Sequence, residues 1–350
     1  MQLSFFKRVK LNEKAFFIQQ LSVILDAGIP LLRGISMLAD QTKNEYFRQI
    51  ITEIYSRLQE GYQLSEAMAN YPTVFPQLYI AVTRSGEATG KLSSVLQELA
   101  VQQQEEVKFR SGITSALMYP ALIVSAMLVL GFYLVMKVIP QIATLFEENE
   151  TELPLVTKML ISTVNFLSSY WYIIIIVLVV AIIGIRYWAR TYEGKIFFAR
   201  LQMRLPIIKN LITGVYVTRF ARTTSMLIRS GVPILDTVNL VGASMNNVLY
   251  ANSLVIIRES LERGLPMSKP INDNPIFPPF VGQMVMVGEQ TGKVDETLLS
   301  IADYYQSQTN DTIKGLSALI EPILIIVLGA GVAFIVFAVF IPLYSLSNIM

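Results

Sequence analysis

The chain has 350 residues, 53% of them hydrophobic and 15% charged, with a mean hydropathy of +0.50 and a formal net charge of +2. A water-soluble globule carries roughly 25% charged residues, so the apolar surplus belongs in lipid; the near-neutral balance argues against a nucleic-acid binder, which needs a strong basic patch to displace counterions. With no cysteine and no histidine, disulfides, thiolate nucleophiles, cysteine metal sites and the commonest general base are all missing, and no catalytic, cofactor or metal residue is assigned.

Residues 1–112 read as water-facing helices. Met1 to Asn12 is basic through Lys7, Arg8 and Lys10 and no apolar run follows it, so no cleavable signal peptide is expected. Phe16, Phe17, Leu21, Ile24 and Leu25 recur at helical spacing and stop at Asp26-Ala27-Gly28-Ile29-Pro30. There Gly28 suits a left-handed position past a helix end and Pro30 the first turn of the next helix, which makes an interhelical corner. From Phe47 the positions Ile50, Ile51, Ile54 and Leu58 make one apolar stripe that Gly61 ends. A short segment, Leu64 to Ala69, and a loop with Pro72 and Pro76 follow. Ile80 and Val82 lead into Gly86-Glu87-Ala88-Thr89-Gly90-Lys91. Beyond it Leu92, Val95, Leu96 and Leu99 mark the buried face of a long polar helix heading for the membrane.

Residues 113–140 contain the apolar run Leu117 to Ile139, and about 20 helical residues are enough to cross roughly 30 Å of hydrocarbon. Pro120 lies near its start and Pro140 at its end. An acidic loop, 141–168, carries Glu147, Glu148, Glu150 and Glu152; four carboxylates there either bind a cation or form a solvated stretch, and no metal is assigned. A second span, 169–188, holds the run Trp171 to Ile185 with Trp171 and Trp188 at headgroup level. Residues 189–316 are again polar and rich in Lys and Arg. A third span, 317–342, holds Leu319 to Ile341 between Pro322 and Pro342, and a short tail, 343–350, ends the chain. Basic residues concentrate on the cytoplasmic side, so 1–112 and 189–316 are expected in the cytoplasm, with the acidic loop and the tail outside.

The chain repeats itself. At an offset of 203, Phe17, Gly28 and Pro30 meet Phe220, Gly231 and Pro233, and Ile54, Leu58 and Gly61 meet Ile257, Leu261 and Gly264. At 202, Gly86 to Lys91 meets Gly288-Glu289-Gln290-Thr291-Gly292-Lys293, and the four prolines pair as Pro120 with Pro322 and Pro140 with Pro342. A one-residue gap between Leu64 and Phe75 accounts for the change. The pattern is a tandem duplication in parallel orientation, and the unpaired Trp171 span returns the chain to the cytoplasm between two outward crossings.

Gly86 to Lys91 and Gly288 to Lys293 look superficially like phosphate loops. A phosphate loop, however, needs four residues between its glycines, Ser or Thr straight after the Lys, and a strand before it; these have three residues, Leu92 or Val294, and a helical pattern. The structural reading is a tight interhelical turn, with Gly86 or Gly288 allowing close approach and Thr89 or Thr291 capping the next helix. Glu87 and Glu289 either serve that turn or face a partner. Lys137 and Glu321 lie near span ends, where snorkelling accounts for them better than a transport path. Pro120 and Pro322 fall in the first turns of their spans, where a missing amide costs little, a gating kink being the alternative.

These residues resemble the PilC/GspF family, inner-membrane platform proteins of type IV pilus, type II secretion and DNA-uptake machines. The likeness covers nearly the whole chain. Each of two helical domains carries Gly-x-Pro at a corner (Gly28 to Pro30, Gly231 to Pro233), a Gly-Glu-x-Thr-Gly-Lys turn and a following span, opened by Tyr119-Pro120 in the first copy and Glu321-Pro322 in the second. The resemblance implies an all-α integral membrane protein: two tandem homologous cytoplasmic bundles of about six helices each, plus three transmembrane helices. It also implies a homo-oligomeric platform in the bacterial inner membrane, with the N-terminus cytoplasmic and the C-terminus periplasmic. Its partners would be a hexameric cytoplasmic assembly ATPase, pilin or pseudopilin subunits, other inner-membrane assembly proteins and the lipid bilayer. It hydrolyses nothing, takes no cofactor and binds no nucleic acid. Many members carry an additional segment before the first bundle, whereas here Phe16 already lies in the first helix, so no ATPase contact of that segment is carried over. The duplicated spans also admit a small transporter with parallel repeats, but neither broken helices nor midplane polar groups, which such transporters use, are visible in the sequence.

Overall fold

The computed structural model describes residues 9–133, 137 and 155–347, and each described element is a helix. In chain order these are α1 (Leu11–Asp26), α2 (Leu31–Gln41), α3 (Glu45–Gln59), α4 (Leu64–Ala69), α5 (Gln77–Thr89) and α6 (Leu92–Tyr133). Next come α7 (Leu155–Trp188), α8 (Tyr192–Arg204), α9 (Pro206–Arg229), α10 (Ile234–Ser244) and α11 (Val248–Glu262). The last are α12 (Ser268–Asn272), α13 (Pro279–Thr291) and α14 (Val294–Ser347). They divide into two units, Met1–Ser111 with Ile196–Thr312, and Gly112–Lys195 with Ile313–Met350.

The first unit has two halves built alike. Side-chain caps start corresponding helices: Asn44 accepts the Phe47 amide at 3.2 Å before α3, and Asn247 accepts the Leu249 amide at 2.9 Å before α11. Positive-φ glycines end corresponding helices, Gly28, Gly61 and Gly90 in one half and Gly231, Gly264 and Gly292 in the other. Each half closes on an aromatic trio. Phe17, Phe47 and Phe75 stand with ring centroids 5.5 to 6.4 Å apart. In the other half Phe277 lies 5.3 Å from Phe220 and 5.7 Å from Tyr250. All six side chains are buried, and such pairs add about 0.5–1.5 kcal/mol each beyond area burial. Phe16, one residue out of phase, points outward instead.

The second unit is apolar. Among the described residues, two helices are long and apolar enough to cross a membrane, Leu92–Tyr133 and Val294–Ala333, and hardly any of the apolar window of each is buried. From Ile176 to Ile185, α7 also presents exposed Ile and Val side chains. It already begins at Leu155, inside the stretch read from sequence as loop, because Leu155, Met159, Leu160, Val164 and Leu167 follow a helical period.

Three proline expectations need correction. Pro120 is not in a first turn but well inside the 42-residue α6, and Pro322 is likewise interior to the 54-residue α14. Neither apolar run starts as a new helix, since each continues a helix that begins polar. At both positions an internal hydrogen bond is lost, which a helix interior tolerates only at a cost of about 3 kcal/mol or more in water. Pro342 does not end its helix either, which runs on to Ser347. Pro140 and the acidic residues Glu147, Glu148, Glu150 and Glu152 lie outside the described residues.

Candidate functional site

The motif residues Gly86 to Thr89 form the last turn of α5, and Gly90, with φ 69°, and Lys91 connect it to α6. The Gly90 amide donates to the Glu87 carbonyl at 3.3 Å and the Lys91 amide to the Gly86 carbonyl at 2.9 Å, which satisfies carbonyls that a helix end leaves orphaned. Gly292, also at φ 69°, closes α13, and the Lys293 amide reaches the Gly288 carbonyl at 2.9 Å. A Cβ on Gly86 would lie 2.3 Å from Val95 Cγ2, and one on Gly288 2.2 Å from Thr297 Oγ1, so each turn folds its two helices together at a glycine.

Both carboxylates of the motif point back into the fold. Glu87 accepts the backbone amides of Leu64 and Ser65, the latter at 3.3 Å, at the start of α4. Glu289 accepts those of Met267 and Ser268, the latter also at 3.3 Å, at the start of α12. A charged acceptor at a helix start satisfies free donors and complements the helix dipole. Thr89 and Thr291 do not cap the next helix as expected. Their hydroxyls donate to the Ser85 and Val287 carbonyls, both at 2.8 Å, inside their own helices. Each threonine is the last residue of its own helix, two positions before the residue that precedes the next helix, so its hydroxyl turns back to its own helix instead of the following amides. Lys91 and Lys293 are exposed, and Lys293 Nζ pairs with Glu296 at 3.1 Å.

The corners differ. Pro30 and Pro233 each precede the first residue of a helix, and Gly28 and Gly231 have φ of 78° and 82°. Nothing stands within 4 Å of a Cβ built on Gly28, whereas one on Gly231 meets Ser85 Oγ and Thr89 Cγ2 at 3.8 and 3.9 Å. The first half's turn therefore rests on the second half's corner. There the Ser85 hydroxyl donates to the Ser230 carbonyl, and α5 packs against α10.

This contact continues as a polar seam, which the sequence reading did not find. Gln102 Nε2 donates to Thr223 Oγ1 at 2.9 Å, Arg219 meets Glu106 at 2.9 Å, and Arg229 stands 3.5 Å from Glu98 and 4.0 Å from Asp295. Burial works against the Glu106 charge, yet the Arg219 guanidinium, with Arg110 behind it, holds this carboxyl below the usual carboxylate range. Glu98 goes the other way: desolvation raises it, and the Arg229 charge offsets this only in part. Burial also pushes the Tyr305 hydroxyl up to about 12. A cavity of about 410 Å³ opens along the seam, lined by Tyr79, Gln103, Glu106, Thr218, Arg219 and Arg222 among others. Gln103 Oε1 and Thr218 Oγ1 are buried there without a protein partner, in a space large and polar enough for water. Among the described residues no group of three metal-ligating side chains gathers. The signal that marks the seam is divergence within the repeat: Arg219, Thr223, Met226, Arg229 and Ser230 stand where the first copy has Phe16, Gln20, Val23, Asp26 and Ala27.

Comparison with known proteins adds to this geometry. A family model described as Type II secretion system (T2SS), protein F matches twice, at residues 17–140 and 220–342. A Type IV pilus assembly protein PilC from Thermus thermophilus is 32% identical over 337 residues, covering 96% of this chain and 83% of its own. A PilC from Pseudomonas aeruginosa is 28% identical over 98% of this chain and 92% of its own. Type II secretion system protein F of the same organism is 26% identical over 100% of this chain and 86% of its own. With the family model matching more than half of its length, and with relatives of both names spanning nearly all of it, the chain belongs to the PilC/GspF family of type II secretion system F proteins.

Proposed function

We propose that this chain is the inner-membrane platform of a type IV filament machine, a mechanical adaptor without an active site. In this role it couples a hexameric cytoplasmic ATPase to the assembly of pilin or pseudopilin subunits. The observation that carries the reading is the doubled family match, with starts 203 and ends 202 residues apart, each copy running from a polar helical half into an apolar helix. Relatives named for both pilus assembly and type II secretion place their likeness over the same full length, so the shared role is a filament machine of either kind. On this reading the two halves of the first unit are tandem homologous bundles in the cytoplasm. The apolar ends of α6 and α14 cross outward, and α7 is the third span that brings the chain back.

The chemistry of the chain suits an adaptor. The motif carboxylates Glu87 and Glu289 are engaged with helix starts, and the motif glycines close turns, so the motif serves as a rigid joint through which load passes from bundle to span. The test is copurification in mild detergent. The full chain is expected to retain the cognate assembly ATPase and to show no ATP turnover alone; intrinsic turnover together with loss of the ATPase overturns the reading.

A further inference from the structure

We infer that copies of this chain join head to tail, the C-terminal half of one docking on the N-terminal half of the next through the same surfaces that join the two halves within a chain. The inference rests on the tandem-bundle reading and deepens it by naming the faces of the oligomer.

Within the chain, the turn and helix face of the first half (Ser85, Thr89, Glu98, Gln102, Glu106) sits on the corner and helix face of the second (Arg219, Thr223, Arg229, Ser230, Gly231). A repeat with one such joint leaves one face of each kind unused, at the two far ends. The repeat offsets identify both. The unused turn face carries Val287, Thr291, Ser300, Tyr304 and Gln308, and the unused corner face carries Phe16, Gln20, Val23, Ala27 and Gly28.

Their exposure differs as unjoined faces should. Met226 lines the seam and is 5% exposed, whereas its counterpart Val23 is 55% exposed. Gln102, bonded across the seam, corresponds to Tyr304, 52% exposed, and buried Leu78 corresponds to Phe280, 39% exposed. Carried over by the offsets, the internal pairs become Val287 with Ala27, Tyr304 with Gln20, Gln308 with Phe16 and Ser300 with Asp26. No like charges meet; Val287, Ala27, Phe16 and the ring of Tyr304 replace polar side chains of the internal joint, while Gln20, Gln308, Ser300 and Asp26 keep a polar group there. Exposed apolar side chains on two faces that the repeat relates to a joined pair mark an interface, and a second copy of this chain supplies both faces. Such a joint is heterologous, so it closes into a ring or continues, depending on the rotation between copies.

The absence of cysteine makes the test direct, because any introduced pair reacts alone. Three oxidation experiments are done on the full chain in membranes. Ser85→Cys with Ser230→Cys in one chain reports the internal joint and is expected to give an intramolecular disulfide. Chains with only Ala27→Cys, coexpressed with size-tagged chains carrying only Val287→Cys, are expected to give the mixed dimer in excess of either same-variant dimer. Val23→Arg is expected to abolish that mixed dimer, while Val255→Arg, equally exposed but outside both faces, leaves it in place. If the internal disulfide forms but Ala27→Cys links only to itself, or no mixed dimer forms, the inference falls and the tandem reading survives. If the internal disulfide also fails, both fall together.

Discussion

The two halves of the first unit agree inside and disagree where they touch. Each has an aromatic trio, a carboxylate on a helix start and a left-handed glycine before the long final helix. Yet the corner at Gly231 is covered by Ser85 and Thr89, while the corner at Gly28 is open. The difference teaches that the two halves keep the same groups where each closes on its own core and differ on the outer face of α1 and α9. In the second half that face carries Arg219 and Arg229, which meet Glu106 and Glu98.

The aromatic trios give the largest test of the likeness. Phe17→Ala and Phe220→Ala each empty a fully buried site, and each is expected to cost about 3–5 kcal/mol. Thermal unfolding of the full chain in detergent checks this, and a large loss in one half with none in the other would break the equivalence. The carboxylate caps come next. Glu87→Gln and Glu289→Gln keep the shape but remove the charge from amides at the starts of α4 and α12, so each is expected to cost about 1–3 kcal/mol. Hydrogen exchange should speed up at Ser65 in the first variant and at Ser268 in the second, and not the reverse.

The smallest effect separates the two ion pairs of the seam. Glu106 has a lowered folded pKa, so between its folded and unfolded values the unfolded chain binds more protons. Its contribution is present above the ordinary carboxylate range and is lost as pH falls through the folded value. Glu98 has a raised folded pKa, so the folded chain binds more protons in the window just above the ordinary range, and its contribution falls as pH rises through that window. Glu106→Gln should therefore flatten the acid limb of a stability profile, whereas Glu98→Gln should raise stability on its upper side. Identical profiles would mean that the two pairs share one environment.

Much of the first unit was legible from residues in order. Helix ends are local events, fixed by a glycine that tolerates positive φ or a proline that starts the next helix, so Gly28 and Gly61 could be assigned without knowing what lies beside them, whereas the helix-closing role of Gly90 and Gly292 was not read. Apolar period located Phe17, Ile51, Ile54 and Val95 in the core for the same reason. The prolines of the apolar runs were misjudged because composition marks where a helix turns apolar, not where it begins, and a polar helix that turns apolar needs no break. Thr89 was misjudged by two residues of register, which a hydroxyl cannot bridge.

The sequence by itself determined the repeated motifs, several helix ends of the first unit, the large apolar content and the absence of histidine and cysteine chemistry. These follow from spacing and residue type, and such rules act within a few residues along the chain. Only the tertiary structure decided where Glu87 and Glu289 send their carboxylates, which corner is covered, and that Glu106 meets Arg219 across more than a hundred residues of chain. Those contacts depend on how two folded halves lie against each other. No local propensity encodes that arrangement, because it is set by the fit of surfaces that exist only after each half has closed on its own core.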